Sequence, residues 1–531
     1  MSQAQRPLVE RAGRAVFWNI AFFPIKALLQ LLAGIVAVRL LRADGFALLS
    51  VTLAMLDTLG LFSDLGIERT LPRFYPEVEM RDGRRGVLNL IFRLSMVKAV
   101  VLLILIVVLA AAPQYWIQQF GLGPDGGWLL LMIAVLLVLG AASDISRQFL
   151  FTHFRQKSTN ALDVLAVVAY PTLTALFVII GWGVLGALLA LLITTVLSVA
   201  ISVWLAVRIL SEDSHAAAPG TSEVKTPSSR PLRERIFSFA ALNYLINWSV
   251  YLYDLDFIVL AITLLIAVPD MRIIEVAAIS LAYKFTKEFL RSLVVPLTGV
   301  QTPLFSRLYA EGRTEGLRTA YATLTKVLIL GLLPAAVGLI VTGRNLLGIL
   351  YLQKRGDSVL TEDTLPTIVA CTAILTVGLF GEAMISVALN VLMVYEQYRA
   401  VLMARLVSVI SIPLLVLLVP QYGAVGGAIA AAVAALGSRG LALGYGIVKL
   451  GLPFPGRFFV RVCIASSTMG LVLLPFVIYL PPTLPVTLVM VAVGVAVFFG
   501  MFKLLGGMDQ ADKERFISLR IPLVKQALRF L

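Results

Sequence analysis

The chain has 531 residues, of which 59% are hydrophobic and 14% charged, with a formal net charge of +14. An ordinary soluble domain carries about 25% charged residues, so a water-soluble globule is excluded and a bilayer is the fitting solvent. Two histidines, and two cysteines within apolar runs, argue against a Cys/His metal cluster or a disulfide framework, and no soluble module is long enough to bind nucleic acid.

A spanning helix needs about 20 mostly apolar residues, and the chain contains fourteen such runs. We therefore predict an all-α polytopic membrane bundle of about 14 transmembrane helices. The first run lasts about 25 residues without a clear small-residue cleavage site, so no cleavable signal is expected. The predicted spans are 15–39, 45–67, 88–112, 128–152, 160–180, 183–207, 236–262, 274–300, 318–342, 365–393, 400–420, 423–448, 458–480 and 484–505.

The loops between the spans alternate in charge. By the positive-inside rule, the basic set is cytoplasmic, which predicts a bacterial inner-membrane protein with both termini inside. The outer aromatic residues Tyr115, Trp116 and Trp128 are typical of an interfacial belt. Most Lys and Arg residues lie in both termini and in loops 68–87, 153–159, 208–235, 303–317, 394–399 and 449–457.

Two of the predicted cytoplasmic segments have distinctive compositions. Loop 211–235 is rich in Ser, Pro and Ala, so we predict a flexible cytoplasmic linker after the sixth span. The C-terminal stretch 512–531 alternates basic and apolar residues, which is typical of an amphipathic helix lying on the inner leaflet.

The halves on either side of the linker resemble each other. PRFYPE at 72–77 matches SRLYAE at 306–311, and each is followed by a helix with one lysine, Lys98 or Lys326. Gly-x-x-Gly turns at Gly183 and Gly423 open the sixth and twelfth spans, with Pro171 and Pro413 shortly before them.

Six plus six spans that both start inside form a parallel repeat with a cavity near the midplane. This is transporter architecture. The predicted domains are an N-lobe at 1–210, the linker at 211–235, a C-lobe at 236–450, helices 13 and 14 at 451–508, and a cytoplasmic tail at 509–531.

The segment VRLLRADGFALLS at 38–50, with DLGI at 64–67, resembles the first hairpin of bacterial polysaccharide flippases. These belong to the multidrug/oligosaccharidyl-lipid/polysaccharide exporter superfamily, and the Gly-x-x-Gly turns and LYAE at 308–311 are also similar to that family. The resemblance implies a V-shaped pair of six-helix lobes that moves a lipid-linked oligosaccharide by alternating access. In related 14-helix lipid II flippases the last two helices form a groove for the polyprenyl tail; spans 13 and 14 have either that role or a structural one.

Placing a charged side chain in the middle of a membrane costs at least about 2.5–3.5 kcal/mol, so such residues are candidates for a functional role. Lys284, Lys287, Glu288 and Arg291 share one face of the eighth span. A Lys284–Glu288 pair would leave surplus positive charge, which predicts a cationic cavity for the phosphates of a pyrophosphate-linked glycan. The alternative is a shorter span with these residues in a cytoplasmic or interfacial segment.

Two other lysines are candidates for the same cavity. Lys26 lies deep in the first span, and it either lines the cavity or pairs with an acid such as Asp57. Lys98 is the weaker candidate. Arg147 is expected to be neutralised locally by Asp144, three residues earlier on the same helix.

Carboxylates are the candidates for coupling transport to an ion gradient, because a buried acid can carry a proton or bind sodium. Asp57 and Asp64 are seven residues apart on one face of the second span, and Asp256 lies in the seventh. In the resembling family a basic residue usually follows the acid at the position of Asp256; here Phe257 follows, and structural pairing is the alternative role. Beyond H⁺ or Na⁺, no cofactor is expected.

The sequence therefore predicts a transporter and not an enzyme. It lacks a Gly-x-x-x-x-Gly-Lys-Ser/Thr phosphate loop, so an intrinsic ATPase is not supported. The expected partners are a polyprenyl-linked glycan, membrane lipids and polysaccharide polymerase or assembly proteins. A multidrug exporter, a lipid II flippase and a non-transporting scaffold remain open. A membrane glycan polymerase or ligase is disfavoured because the longest outer loop, 343–364, has only about 22 residues.

Overall fold

A computed structural model of the protein describes residues 29–30, 32, 34–152, 156–212, 232–310, 313–352, 360–395 and 397–508. These residues are almost entirely helical and include no strand, as the all-α prediction requires. They divide into two compact units, Met1–Ala277 and Ala278–Leu531, called unit 1 and unit 2 below. Lys26 and the predicted tail helix at 512–531 lie outside the described residues.

Unit 1 contains the helices of the first half of the chain and the seventh predicted span. Helices α4 and α6 pack together, α5 packs on α6, and α8 packs on α1. The helices are α1 (Ala43–Asp64), α2 (Ile67–Ala111), α3 (Pro113–Phe120), α4 (Gly126–Thr152), α5 (Gln156–Ile179), α6 (Gly183–Glu212), α7 (Leu232–Tyr251) and α8 (Leu255–Leu265).

The long helix α9 (Pro269–Ala310) begins in unit 1 and continues into unit 2. Within unit 2, α11 packs against α13, and α14 packs against both α10 and α15. The remaining helices are α10 (Thr314–Tyr351), α11 (Leu365–Val394), α12 (Tyr398–Leu406), α13 (Ser411–Leu450), α14 (Gly456–Tyr479) and α15 (Leu484–Leu504), with a 3₁₀ turn at Val407–Ile410.

The protein is a multi-pass membrane protein. Ten of the described helices are long and apolar enough to cross a bilayer, and the bent pair α7 and α8 makes an eleventh. One of these ten is the stretch Tyr398–Leu450, which is 53 residues long. That length is enough for the two predicted spans at 400–420 and 423–448. Large apolar side chains such as Phe92 and Leu103 are more than 60% exposed, which suits a surface that faces lipid.

The two Gly-x-x-Gly turns have the same backbone conformation at their first glycine. Gly183 and Gly423 have φ angles of 48° and 55°, in the left-handed region that favours glycine. The second glycine of each turn lies against the helical segment before the turn, which for the second turn is the part of α13 before the kink at Gly423. A Cβ on Gly186 would come within 2.7 Å of Phe177 Cβ, and one on Gly426 would overlap the Leu418 backbone. The internal repeat predicted from the sequence therefore extends to turn geometry.

The structure differs from the sequence prediction at two elements. The predicted loop 68–87 is helical and forms the first part of α2, which Gly83 interrupts with a φ of 61°. The predicted seventh span, 236–262, is broken between Tyr251 and Leu255, where α7 and α8 meet at 58°. That span packs within unit 1, whereas the two six-helix lobes remain a prediction from the repeat.

Candidate functional site

A cavity of about 550 Å³ lies within unit 1. Four helices and the break after α7 form its wall, so sequence positions almost 200 residues apart converge there. Its volume is in the range of sites that hold a small molecule, about 300–1,000 Å³. The lining residues are Leu56, Asp57, Gly60, Leu61, Ser63, Asp64, Leu136, Leu137, Gly140, Ala141, Asp144, Leu191, Thr195, Asn247, Val250, Tyr251 and Asp254.

Four of the lining residues are aspartates. Asp57 and Asp64, two turns apart on α1, face the cavity together, as their seven-residue spacing allows. Asp57 is exposed, whereas Asp64 is buried and accepts a 2.8 Å hydrogen bond from Asn247 Nδ2. Asp144 and Asp254 complete the set. Among the described residues that line the cavity there is no Lys or Arg, so its wall is rich in hydrogen-bond acceptors.

The break after α7 brings Asp254 to the cavity. Asp254 has extended backbone and caps α8, where its Oδ1 accepts a 2.8 Å hydrogen bond from the Leu255 N–H. Such capping is the usual way to satisfy the first amides of a helix. Asp256, the residue chosen from the sequence, is half-buried in the first turn of α8 and does not belong to the lining.

Tyr251 and its neighbours make one part of the wall rigid. The Tyr251 hydroxyl is hydrogen-bonded to the Thr58 hydroxyl of α1. The rings of Trp248 and Phe257 pack on the Tyr251 ring with centroid separations of 5.7 Å and 5.5 Å. Edge contacts of this kind fix ring orientation, so Tyr251 is held in place from both sides of the break.

Lys98 lies behind the wall rather than in it. Its side chain is 3% exposed, and its Nζ donates a 2.7 Å hydrogen bond to Asp144 Oδ2. The expected local pair of Asp144 with Arg147 is wrong: Arg147 instead contacts Asp163 of α5, with Nη2 to Oδ1 at 2.8 Å. The reason is helix geometry, because neighbouring helices offer each charge a closer partner than its own helix does.

The other predicted cationic residues lie on α9, in unit 2. Lys287 and Arg291 are exposed and Lys284 is half-buried. Glu288 Oε1 lies 3.8 Å from Arg291 Nη1 on the next turn of α9, and the Lys284–Glu288 pair stays a prediction. Lys287 Nζ instead lies 5.3 Å from the centroid of the Tyr283 ring.

Helix α9 is not among the described helices that are apolar enough to span. The reason is that Lys284, Lys287, Glu288 and Arg291, which were predicted to line a cavity, interrupt the apolar stretch of α9 near its middle.

A buried ion pair joins two helices of unit 2. Glu382 Oε1 of α11 accepts a 2.7 Å hydrogen bond from Arg439 Nε of α13, and both side chains are at most 15% exposed. Asn390 of the same α11 donates a 2.7 Å hydrogen bond to Gln301 Oε1 of α9. Glu382 therefore has its counter-charge within hydrogen-bond distance.

A second ion pair joins α2 to α7. Arg235 Nη1 and Nη2 donate to the two carboxylate oxygens of Glu77 at 2.6 Å and 3.1 Å. The Arg235 guanidinium lies 5.7 Å from the Phe74 ring centroid, and Phe74 packs edge-on against Phe239. Sequence reasoning missed this contact, because 72–77 was read only as a loop landmark of the repeat.

Comparison with known proteins gives one family and one fold. The family model described as polysaccharide biosynthesis protein matches residues 12–309. The lipid II flippase MurJ, in an inward closed conformation, has a TM-score of 0.69 at 14% identity, over 92% of this chain and 98% of that chain.

Two structures of a multidrug resistance MATE family transporter of the MOP superfamily are also similar. The outward-facing one has a TM-score of 0.55 at 15% identity over 83% of this chain and 96% of that chain. The inward-facing one has a TM-score of 0.52 at 13% identity over 82% and 98%. At these identities the likeness concerns the fold. A search of curated proteins gives no match.

Proposed function

The chain belongs to the polysaccharide biosynthesis protein family, and we propose that it carries polyprenyl-pyrophosphate-linked oligosaccharides across the bacterial inner membrane. Translocation proceeds by alternating access and supplies units for surface polysaccharide assembly. The flippase and transporter folds to which the chain is similar support this proposal.

The observation that carries the proposal is the polar cavity of unit 1. Its wall brings four aspartates, an asparagine and hydroxyl side chains together inside a bundle whose outer faces are apolar. Polar groups at membrane depth are costly and are retained where they line a pathway. A cavity of about 550 Å³ suits a short oligosaccharide head group.

The phosphates of the substrate need cations, and α9 offers the best described set. Lys284, Lys287 and Arg291 share one face of α9 with Glu288. Cationic side chains bind phosphate through strong charge-assisted hydrogen bonds. Lys26 remains a candidate for the same role. Lys98 is the weakest of the five predicted cations, because Asp144 already neutralises it.

Coupling to an ion gradient is assigned to the carboxylates of unit 1. Asp57 and Asp64 face the cavity, where H⁺ or Na⁺ can reach them, and Asp254 joins them. Glu382 is less suited, since Arg439 lies 2.7 Å away and supplies its counter-charge. The role of Asp256 stays a prediction.

The last two helices are proposed to hold the polyprenyl tail. Within unit 2, α14 and α15 pack on α10 through buried apolar side chains such as Val462, Met490 and Phe502. Their outer faces expose further apolar residues, among them Leu471, Leu488 and Val491. Such a surface can contact a polyprenyl chain without a polar penalty.

The positive-inside pattern supports an inner-membrane protein with cytoplasmic termini. A polysaccharide polymerase on the outer side is the partner that would consume the translocated unit. In this proposal the protein translocates its substrate and does not change it chemically.

Deleting the gene tests the proposal. We expect a lipid-linked oligosaccharide to accumulate on the cytoplasmic leaflet and surface polysaccharide to fall, with both restored by the wild-type gene. Unchanged polysaccharide and no accumulated intermediate would contradict the proposal.

A multidrug or cation antiporter is the second candidate, and the carboxylate-lined cavity is the observation that favours it. Efflux of cationic dyes from cells expressing the protein distinguishes the two. The similarity to the lipid II flippase favours that related substrate instead, in which case deletion would block growth and not only polysaccharide export.

A further inference from the structure

We infer that the first turns of α7, residues 232–241, form a hinged gate at the predicted cytoplasmic end of the unit 1 cavity. The ion pair of Glu77 with Arg235 is the latch that holds this gate closed. The inference rests on the proposed function, because a translocated substrate has to enter and leave the protein. It extends that function by naming the helix that moves and the contact that closes the cavity.

A buried apolar cluster, called the floor cluster below, lies beyond the cavity on the helices that line it. On α4, Phe149 follows the lining residue Asp144, and Ile209 lies near the end of α6. On α7, which begins after the predicted cytoplasmic linker, Phe239 packs on the cluster and precedes the lining residue Asn247. The cluster therefore closes the end of the cavity that the positive-inside pattern places towards the cytoplasm. Its buried residues are Leu71, Phe74, Tyr75, Val78, Val87, Leu90, Phe149, Leu150 and Ile209.

Helix α7 contributes only the edge of the floor cluster. Leu232, Ile236 and Phe239 pack against it, but each is half-buried, whereas the buried residues of the cluster belong to α2, α4 and α6. None of the residues 232–241 is fully buried. The first turns of α7 can therefore leave the cluster without exposing its centre to water, which limits the apolar area that opening exposes.

Polar and aromatic contacts hold these turns on α2. The Arg235 guanidinium donates two hydrogen bonds to Glu77 and lies 5.7 Å from the centroid of the Phe74 ring. The Phe74 ring packs edge-on against Phe239, with a centroid separation of 5.6 Å. When α7 and α2 separate, water solvates both charged groups, which offsets much of the electrostatic energy lost with the contact. The ion pair is therefore suited to be a latch that opens and closes again.

The break between α7 and α8 is the hinge. The two helices meet at 58°, and Asp254 between them has extended backbone. Helix α8 is fixed within unit 1, since Ile258, Val259 and Ile262 are fully buried and the helix packs on α1. Hinges are usually a few residues at the ends of elements. Helix α7 can therefore turn about the break while α8 stays in place, and its far end near Arg235 moves most.

A thiol placed in the cavity reports whether the gate is open. Gly60 of α1 and Gly140 of α4 both line the cavity, and a Cβ added to either would meet no atom within 4 Å. Gly140→Cys therefore introduces a thiol without disturbing the fold. Gly331 of α10 has equally open surroundings but does not line the cavity, which makes Gly331→Cys the matched control. The wild type, with Cys371 and Cys463, gives the background labelling.

The first measurement is the rate at which a membrane-impermeant methanethiosulfonate reagent labels the Gly140→Cys thiol in inside-out membrane vesicles. We expect Glu77→Gln to raise this rate by about tenfold, because it leaves the Arg235 charge unpaired in the closed form but solvated in the open form. Adding the swapped pair Glu77→Arg with Arg235→Glu instead should return the rate towards its original value. Glu382→Gln breaks the ion pair with Arg439 in unit 2 and should leave the rate unchanged.

The second measurement determines whether the gate has to open during transport. Glu77→Cys combined with Arg235→Cys places two thiols across the latch, and a short bismaleimide bridges them. We expect bridging to stop the movement of a fluorescent polyprenyl-pyrophosphate-linked oligosaccharide between the leaflets of proteoliposomes. Each single cysteine variant, treated with the same reagent, should continue to move it.

Two kinds of result separate the gate from the proposed function. An unchanged labelling rate in Glu77→Gln, an equal rise in Glu382→Gln, or undiminished translocation by the bridged protein would overturn the inference. Labelling needs no substrate, so these results leave the proposed function intact. If the wild type moves no substrate, the proposed function fails, and the labelling rates still decide whether the gate exists.

Discussion

Glu77 and Arg235 are 158 residues apart in sequence, yet all four terminal atoms of their side chains meet in two parallel hydrogen bonds of 2.6 Å and 3.1 Å. The pair joins the first part of α2 to the start of α7, three residues after the described part of the chain resumes at Leu232. Both side chains are less than 20% exposed.

We expect Glu77→Gln or Arg235→Gln to lower the free energy of unfolding by about 1–3 kcal/mol, because each leaves a partly buried charge without its partner. The double variant Glu77→Arg with Arg235→Glu should recover part of the loss. Thermal unfolding of the purified variants measures this. Single variants as stable as the wild type would show that the pair contributes nothing.

The contact between Lys98 and Asp144 predicts that the two single variants lose different amounts of stability. Asp144→Asn leaves a 3% exposed ammonium group uncompensated, which should cost about 3–5 kcal/mol. Lys98→Met leaves a carboxylate that is 37% exposed to the cavity, where water can solvate it, so it should cost much less.

The double variant Lys98→Met with Asp144→Asn should be more stable than Asp144→Asn alone. Differential scanning fluorimetry ranks the three proteins. Equal losses in the two single variants would mean that Lys98 is not buried as described.

The surroundings of two glycines, Gly426 at a repeat turn and Gly331 within α10, predict opposite effects of an alanine substitution. Gly426→Ala should destabilise the protein because the new Cβ would overlap the Leu418 backbone. Gly331→Ala has open surroundings, so its better helix propensity should leave stability unchanged or raise it by up to about 1 kcal/mol. Folded yield and Tm distinguish them; a stable Gly426→Ala protein would contradict the close approach.

The cations proposed to attract phosphate are tested together. Lys26→Ala combined with Arg291→Ala should reduce surface polysaccharide by about tenfold or more, since each lost charge-assisted contact is worth about 1.5–3 kcal/mol. Replacing the exposed Arg81 and Arg85 together by alanine removes the same number of positive charges and serves as the control. Normal polysaccharide levels in the double variant would remove these residues from the phosphate site.

Most of the fold followed from local sequence. Apolar runs of sufficient length marked the spans, and the Gly-x-x-Gly pattern marked the turns at Gly183 and Gly423. The break before Leu255 was missed because 236–262 is apolar almost throughout, although Asp254 is a good helix N-cap and its position was a usable signal.

The site was less predictable. The seven-residue spacing of Asp57 and Asp64 places them on one face of a helix, so the sequence alone predicts that they face the same space. The partners Lys98 and Asp144 belong to different helices, and neither helix pattern specifies which turn of one meets which turn of the other. The acidic character of the cavity depends on such pairings and could not be derived from the net charge of +14.

The central claim is most directly tested by translocation in proteoliposomes. The substrate is a fluorescent polyprenyl-pyrophosphate-linked oligosaccharide, and an impermeant quencher reports the leaflet in which it lies. The account predicts that the wild type and Gly331→Leu move the substrate between leaflets, whereas Gly60→Leu, folded but with the cavity filled, does not. No movement by the wild type, or undiminished movement by Gly60→Leu, would contradict it.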